Sequence, residues 1–109
     1  MRFLLSKDQI LPLYISKGNS GCIASNKITV DGIKIGYMYR EKPSPHFPDS
    51  GWRFFAGEES DEYTQDPDNF QIFDLNTICN YDKDIIPYLE SCCGSAYIRT
   101  EKGFVDDKL

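Results

Sequence analysis

The side chains best suited to chemistry are four cysteines and a single histidine. They are Cys22, Cys79, Cys92, Cys93 and His46. A tetrahedral zinc site usually takes its Cys or His ligands in closely spaced pairs, with about two to four residues between the two members. Here two cysteines are adjacent and two stand alone, and none has the local signature of a catalytic thiol. We therefore expect reduced thiols that serve packing, with no metal, no cofactor and no catalytic residue.

Carboxylates form the second chemical group, in a run that contains no basic residue. The acids are Glu58, Glu59, Asp61, Glu62, Asp66 and Asp68, with Tyr63 among them. A calcium loop of the EF-hand type needs an internal glycine, and none lies between Glu58 and Asn69. One interpretation is a solvated surface loop. The other is a set of seven partner-binding residues, because acidic charge speeds encounter with a basic partner and an aromatic side chain supplies desolvated contact.

Two arginines lie in the aromatic part of the chain, close in sequence to carboxylates. Arg40 and Arg53 have Glu41 and Asp49 nearby, and Trp52 precedes the second arginine. A guanidinium can bind a carboxylate through two parallel hydrogen bonds, and burying an unpaired charge is costly. We therefore predict that these five residues are structural anchors of a loop, with the tryptophan in the core. The alternative is that the arginines contact a partner.

Two strands joined by a proline-rich connection, residues 41–51, must position these residues. Residues 35–39 alternate in the period-two pattern of a pleated strand. Residues 52–56 place Trp52 and Phe54 on one face and Phe55 on the other. Large apolar side chains on both faces indicate a strand near the middle of its sheet.

The rest of the pattern predicts short elements on either side of this centre. Further strands are expected at 22–25, 28–30, 70–73 and 96–99, with 104–105 adding a few paired residues. Asp31 and Gly32 predict a hairpin turn that pairs 28–30 with 34–39. One short helix should be capped by Asp74 or Asn76, and a second should begin at Asp84 with Pro87 in its first turn.

These elements predict an α+β fold, with a twisted, mainly antiparallel sheet of about five strands and two short helices on one face. Residues 1–109 form a single domain in this interpretation, with no repeat and no linker. Residues 1–20 are an N-terminal extension whose pattern leaves open a short helix, interrupted by Pro12, or a short strand at 13–15.

Composition narrows the classes of function. With 40% hydrophobic and 14% aromatic residues, the chain has the composition of a folded domain. A net charge of −5 disfavours nucleic acid, because phosphates must be met by clustered Lys and Arg. No apolar run is long enough to span a bilayer, and nothing near Phe3 resembles a secretory signal. We expect a cytoplasmic protein that binds neither nucleic acid nor membrane.

The central stretch resembles the small bacterial immunity protein 33 domain family. Its most specific part is the Asp-Ser-Gly-Trp-Arg-Phe-Phe run at 49–55. The other similar stretches are 40–43, 57–59, Tyr63, 72–81 and 85–89. The resemblance covers 21–99 as a family-like core and supplies no catalytic residues.

The resemblance implies a non-enzymatic immunity protein of a polymorphic toxin system, which neutralises a cognate protein toxin by stoichiometric binding. A basic surface on that toxin would be compatible with the acidic run. One alternative is a small ligand-sensing or scaffold domain with an aromatic pocket lined by Tyr37, Tyr39 and Trp52. Another is a small enzyme that uses a cysteine or a carboxylate.

Overall fold

A mixed β-sheet organises the protein, and the aromatic run predicted from the sequence is one of its central strands. The computed structural model describes residues 2–107, so Met1, Lys108 and Leu109 of the predicted 1–109 domain lie outside the described residues. Within this range, strands β1 to β6 are Gly21–Ser25, Tyr37–Arg40, Asp49–Phe55, Phe70–Asp74, Ala96–Thr100 and Gly103–Asp106. Helices α1 to α3 are Asn26–Thr29, Asp61–Gln65 and Leu75–Tyr81, and 3₁₀ helices span Lys7–Gln9, Pro67–Asn69 and Lys83–Tyr88.

The sheet has the strand order β4-β1-β3-β2-β5-β6. Strands β1 and β3 are parallel, and all other neighbouring pairs are antiparallel. The predicted α+β class and mainly antiparallel sheet are confirmed in a single domain. Residues 2–107 form six strands rather than about five, because the few paired residues expected at 104–105 belong to a complete edge strand, β6.

One face of the sheet carries the hydrophobic core, and we call it the covered face. Its fully buried strand residues are Cys22, Ala24, Met38, Trp52 and Phe54. The residues that α1, α3 and the last 3₁₀ helix pack against them are Ile28, Leu75, Ile78, Cys79 and Ile85. Burying one large apolar side chain contributes about 1.5–3 kcal/mol, so the covered face is the main source of stability.

The predicted hairpin at Asp31 and Gly32 is wrong. Ser25 caps α1 by accepting a hydrogen bond from the Lys27 amide at 3.2 Å, so the chain turns into a helix directly after β1. Gly32 has a φ of +78° and its amide donates to the Ile28 carbonyl at 3.1 Å. The positive φ that suggested a hairpin therefore terminates a short helix, whose residue Ile28 is buried in the core.

The start of α3 is predicted correctly, and the start of the next helix is not. Asp74 caps α3 by accepting from the Asn76 amide at 3.1 Å. The following segment is a 3₁₀ helix capped by Asp82 rather than by Asp84, and Pro87 lies near its end rather than in its first turn. Asp82 caps this helix because its side chain is buried and accepts from the Asp84 amide, at the helix start, and also from the distant Ile35 amide.

Residues 2–20 form neither the helix nor the strand that their pattern left open, apart from the 3₁₀ turn at Lys7–Gln9. We call residues 2–20 the N-terminal strap. The amides of Leu13 and Tyr14 donate to the Asn76 side chain at 2.8 and 2.9 Å. The Asn76 side chain of α3 therefore accepts the hydrogen bonds that the backbone of a neighbouring strand would otherwise accept.

Asp49, Ser50 and Gly51 form the first part of β3, which therefore begins before the strand predicted at 52–56. Gly51 has a φ of +95°, and a Cβ there would lie 2.1 Å from the Glu41 carbonyl oxygen. Ser50 donates from its hydroxyl to the Gly21 carbonyl at 2.7 Å, where the pairing register between β1 and β3 shifts. The run thus allows a local irregularity within a central strand.

Candidate functional site

A charged cluster lies at the start of β3. Arg53 donates from Nη1 and Nη2 to the two carboxylate oxygens of Asp49, at 2.9 and 2.7 Å. Its Nε donates to Glu41 at 2.7 Å. Asp49 is 1% exposed and Arg53 6%, whereas the side chain of Glu41 is half exposed. This cluster joins β3 to both ends of the proline-rich connection.

The same contacts change the titration of the buried pair. Burial alone would raise the pKa of Asp49, but hydrogen bonds from Arg53 and from the Ser44 and Gly51 amides outweigh burial and lower that pKa. The hydrogen bond to Asp49 is in turn the largest cause of the raised pKa of Arg53. Both side chains stay ionised at neutral pH, so the pair is suited to holding geometry rather than to transferring a proton.

Arg40 makes contacts of a different kind. Its Nε donates to the Ser50 carbonyl at 2.9 Å and its Nη1 to the Ser91 carbonyl at 2.7 Å, so its partners are carbonyls rather than carboxylates. The guanidinium lies 5.9 Å from the ring centroid of Trp52. Trp52 is fully buried, and its indole N–H donates to the Leu89 carbonyl at 3.0 Å.

The acidic segment, residues 58–69, is folded into two short helical turns. Ser60 starts α2 by accepting from the Tyr63 amide at 3.1 Å. Asp66 starts the following 3₁₀ helix by accepting from the Asp68 amide at 2.9 Å. The segment is therefore more ordered than the solvated loop that its composition suggested.

The seven candidate partner-binding residues all lie in this segment, and their side chains have different surroundings. Glu59 accepts from two backbone amides, at 2.7 and 2.9 Å. Glu58 lies 3.9 Å from the Lys27 ammonium. Three carboxylates have no hydrogen-bond or ion-pair partner among residues 2–107, and they belong to Asp61, Glu62 and Asp68.

Tyr63 attaches the acidic segment to the sheet. Its ring packs edge-on against Phe70 with centroids 5.8 Å apart, and the Lys27 ammonium lies 5.2 Å from its centroid. Its hydroxyl accepts from Ser25 at 3.4 Å and donates to the Asn69 carbonyl at 3.5 Å. The free carboxylates are therefore held beside the sheet, on the side opposite the core.

We call that opposite side of the sheet the open face. Tyr37, Tyr39 and Phe55 form a group of partly exposed rings there, with centroids 5.9–6.1 Å apart. The hypothesis of a pocket that also includes Trp52 is wrong. Strands β2 and β3 pair Tyr39 with Arg53, so Trp52 points to the covered face.

The thiols and the histidine are not brought together. Cys22 and Cys79 lie in the core, where burial raises the pKa of Cys79 to about 12 and raises that of Cys22 well above its usual value. Cys92 and Cys93 are exposed, so the expectation that the thiols serve packing is wrong for these two. His46 is also exposed, in the proline-rich connection, and makes no hydrogen bond to any of the four cysteines. In the described part of the chain, no cluster of three His, Cys, Asp or Glu side chains could hold a metal ion.

A second charged cluster was not found by sequence reasoning. Arg99 donates from Nη2 to the buried Asp82 at 2.6 Å, from Nη1 to Asp84 at 2.9 Å and from Nε to the Ile35 carbonyl at 2.7 Å. Its guanidinium also lies 4.4 Å from the ring centroid of Phe104. The available signal was Asp82, a second acid at the start of a predicted helix. Its arginine partner is too distant in sequence to be marked by any local pattern.

The fold and these clusters define a small α+β domain with one helix-covered face, one open aromatic face and an acidic segment beside the latter. The family model of the Immunity protein Imm33 domain matches residues 22–107, from β1 through β6. The chain therefore belongs to the Imm33 immunity protein family, which confirms the resemblance drawn from the sequence.

The family suggests a toxin-neutralising role and names neither the toxin nor the contact residues. No curated protein and no solved structure matches the chain. Among residues 2–107, no helix is both long enough and apolar enough to cross a membrane.

Proposed function

We propose that this protein is a cytoplasmic immunity protein that neutralises a cognate bacterial toxin by forming a stoichiometric, non-enzymatic complex with it. The family match over residues 22–107 is the observation that carries the proposal. The arrangement of the polar groups supports the non-enzymatic part of the proposal. The carboxylates of Asp49 and Asp82 are bound to arginines, and the thiols of Cys22 and Cys79 are buried in the core.

Within this proposal the acidic segment meets a basic surface of the toxin. The binding residues are Glu58, Glu59, Asp61, Glu62, Tyr63, Asp66 and Asp68. Three of these carboxylates have no internal partner among the described residues, and the chain as a whole carries a net charge of −5. Complementary charge of this kind raises the association rate more than it deepens the final affinity.

The residues of the first charged cluster and its neighbours serve as structural anchors in this proposal. They are Arg40, Glu41, Asp49, Trp52 and Arg53. Their hydrogen bonds connect β2, β3 and the proline-rich connection, so they hold the sheet in shape beneath the contact surface.

The test is co-expression of this chain with the protein encoded by the adjacent gene. We expect cells to survive the otherwise toxic protein, and the two proteins to purify together at a ratio of one to one. When the expression levels of the two proteins are varied in the cell, protection should occur only where the amount of this chain at least equals the amount of the toxin. Protection at a small fraction of the toxin would indicate turnover, and no protection by a folded chain would refute the proposed function.

A charge reversal tests the contribution of the acidic segment. Glu62→Lys should slow association with the toxin about tenfold at low salt, with the difference shrinking as salt screens the charges. Asp8→Lys is the matched control, because it makes the same charge change on an exposed residue of the N-terminal strap. Glu59 is unsuitable because its carboxylate accepts from backbone amides. Equal rates for both variants would place the interface elsewhere.

A further inference from the structure

The open face of the sheet exposes large apolar side chains on three strands. Ile72, Ile98 and Val105 are 59%, 43% and 42% exposed. The register places Ile98 beside both Tyr37 and Val105, and places Ile72 at the far end of the same face through β1. Exposed apolar side chains that are grouped on one face of a sheet are typical of a surface that binds a partner.

Two adjoining depressions lie on this face, with volumes of about 500 and 380 Å³. Tyr39, Phe55 and Thr64 line both of them, so the two form one groove. The groove reaches Ile98 at one end and Ile72 at the other.

The rim of this groove is acidic. Glu41 and Glu59 line it, and α2 beside it carries two more acids in its first turn. The arginines that line the groove are Arg53 and Arg99, and each is bound to two carboxylates. Each of these clusters holds two carboxylates for one arginine and is therefore net negative, so the groove presents a negative potential to a partner.

The floor of the groove can receive a cation as well as an apolar group. The hydroxyls of Tyr37 and Tyr39 have no hydrogen-bond partner among residues 2–107. Their electron-rich rings, together with that of Phe55, attract a guanidinium or an ammonium placed over them. The aliphatic stem of a lysine or arginine can pack on the apolar side chains at the same time.

We infer that this groove is the docking site for one segment of the cognate toxin, in which a lysine or arginine stands beside an apolar side chain. The inference rests on the proposed function and adds the apolar floor to the acidic rim. The cationic group lies over Tyr37 and Tyr39 near Glu59, and the apolar side chain lies between Phe55 and Ile72. A second copy of this protein fits the groove less well, because two acidic rims would face each other.

The test compares three substitutions of isoleucine by lysine in binding to the adjacent-gene product. Ile98→Lys and Ile72→Lys place a positive charge in the groove, and each should weaken the Kd about 30-fold or more. Ile15→Lys is the control, because Ile15 is 87% exposed on the N-terminal strap, and its Kd should stay within about threefold of the unaltered chain. All three positions are exposed, and circular dichroism should show an unchanged fold.

Tyr39→Leu tests the cationic part of the inference. Leucine keeps an apolar side chain and removes the ring face, so binding should weaken about five- to tenfold. Unchanged affinity would refute the part of the inference that places a lysine or arginine in the toxin segment.

The outcomes separate the inference from the proposed function. If the unaltered chain binds and both groove variants bind as tightly, the inference is refuted and the proposed function stands. If the unaltered chain neither binds nor protects, the proposed function fails and the inference fails with it. If the unaltered chain sediments as a dimer that Ile98→Lys dissociates, the occupant is a second copy and the inference is refuted.

Discussion

The covered and open faces of the sheet use neighbouring residues of one strand for different purposes. Phe54 is fully buried against the helices, whereas the next residue, Phe55, is partly exposed in the groove. Trp52 and Arg53 divide in the same way, since the first packs in the core and the second pairs with carboxylates on the opposite side. Core residues and open-face residues therefore alternate along β3.

The largest loss of stability should come from the buried ion pair beneath the open face. Asp49→Ala leaves Arg53 buried without its carboxylate, and should lower the free energy of unfolding by about 3–5 kcal/mol. Glu41→Gln is the control, since this half-exposed partner of the same arginine should cost at most about 1 kcal/mol. Urea denaturation measures the unfolding free energy of both variants. Equal losses would contradict the prediction that the buried carboxylate stabilises the protein more than the half-exposed one.

A pair of isoleucines tests the difference between the faces directly. Ile78→Ala removes a fully buried side chain from the covered face and should cost about 3 kcal/mol of unfolding free energy. Ile98→Ala makes the same chemical change on the open face and should cost less than about 1 kcal/mol. Thermal denaturation of the two variants provides the measurement. An Ile98→Ala loss as large as that of Ile78→Ala would mean that the open face is part of the core.

The pH dependence of stability should report the same ion pair. The pKa of Asp49 is lower in the folded protein than the usual value of about 3.9, so its contribution is present above that value. The contribution is lost as the pH falls through the lower, folded pKa. Asp49→Asn should therefore flatten the acid limb of the stability curve below about pH 4. Asp8→Asn makes the same charge change at an exposed site and serves as control, and identical acid limbs for Asp49→Asn and the unaltered chain would contradict the prediction.

The smallest expected effect needs no substitution, because it is measured by chemical modification of the thiols. Iodoacetamide should modify Cys92 and Cys93 in the folded protein, because both are exposed. Cys22 and Cys79 should react only after unfolding, since both are buried and burial raises the pKa of each. Mass spectrometry counts the modified sites, and early modification of Cys79 would show that the covered face opens readily.

The elements that sequence reasoning found correctly depend on local patterns. The aromatic alternation around Trp52 identified a central strand, and the cap at Asp74 identified α3. The errors arose where a distant contact decided between two local outcomes. Ile28 joins the core as part of a helix, which overrides the hairpin signal at Gly32, and Asp82 starts a helix because it also binds Arg99.

The candidate site was predictable only in part, for the same reason. The acids from Glu58 to Asp68 are contiguous in sequence, so their clustering could be foreseen. The groove could not, because Ile72 and Ile98 reach one face through the strand order rather than through any shared motif. Alternation also placed Tyr37 and Tyr39 on one face of their strand, but the pairing register was needed to separate them from Trp52.

The strand order also constrains how this protein can be made on the ribosome. Strand β1 is synthesised first, yet its neighbours are β3 and β4, and Gly21 pairs with Asp49 on one side and Asp74 on the other. Until residue 74 has emerged, β1 has at least one bare edge, and such long-range pairing is slow to form. We expect chains that have not yet emerged as far as residue 74 to be substrates for chaperones and proteases, because β1 cannot then pair with β4.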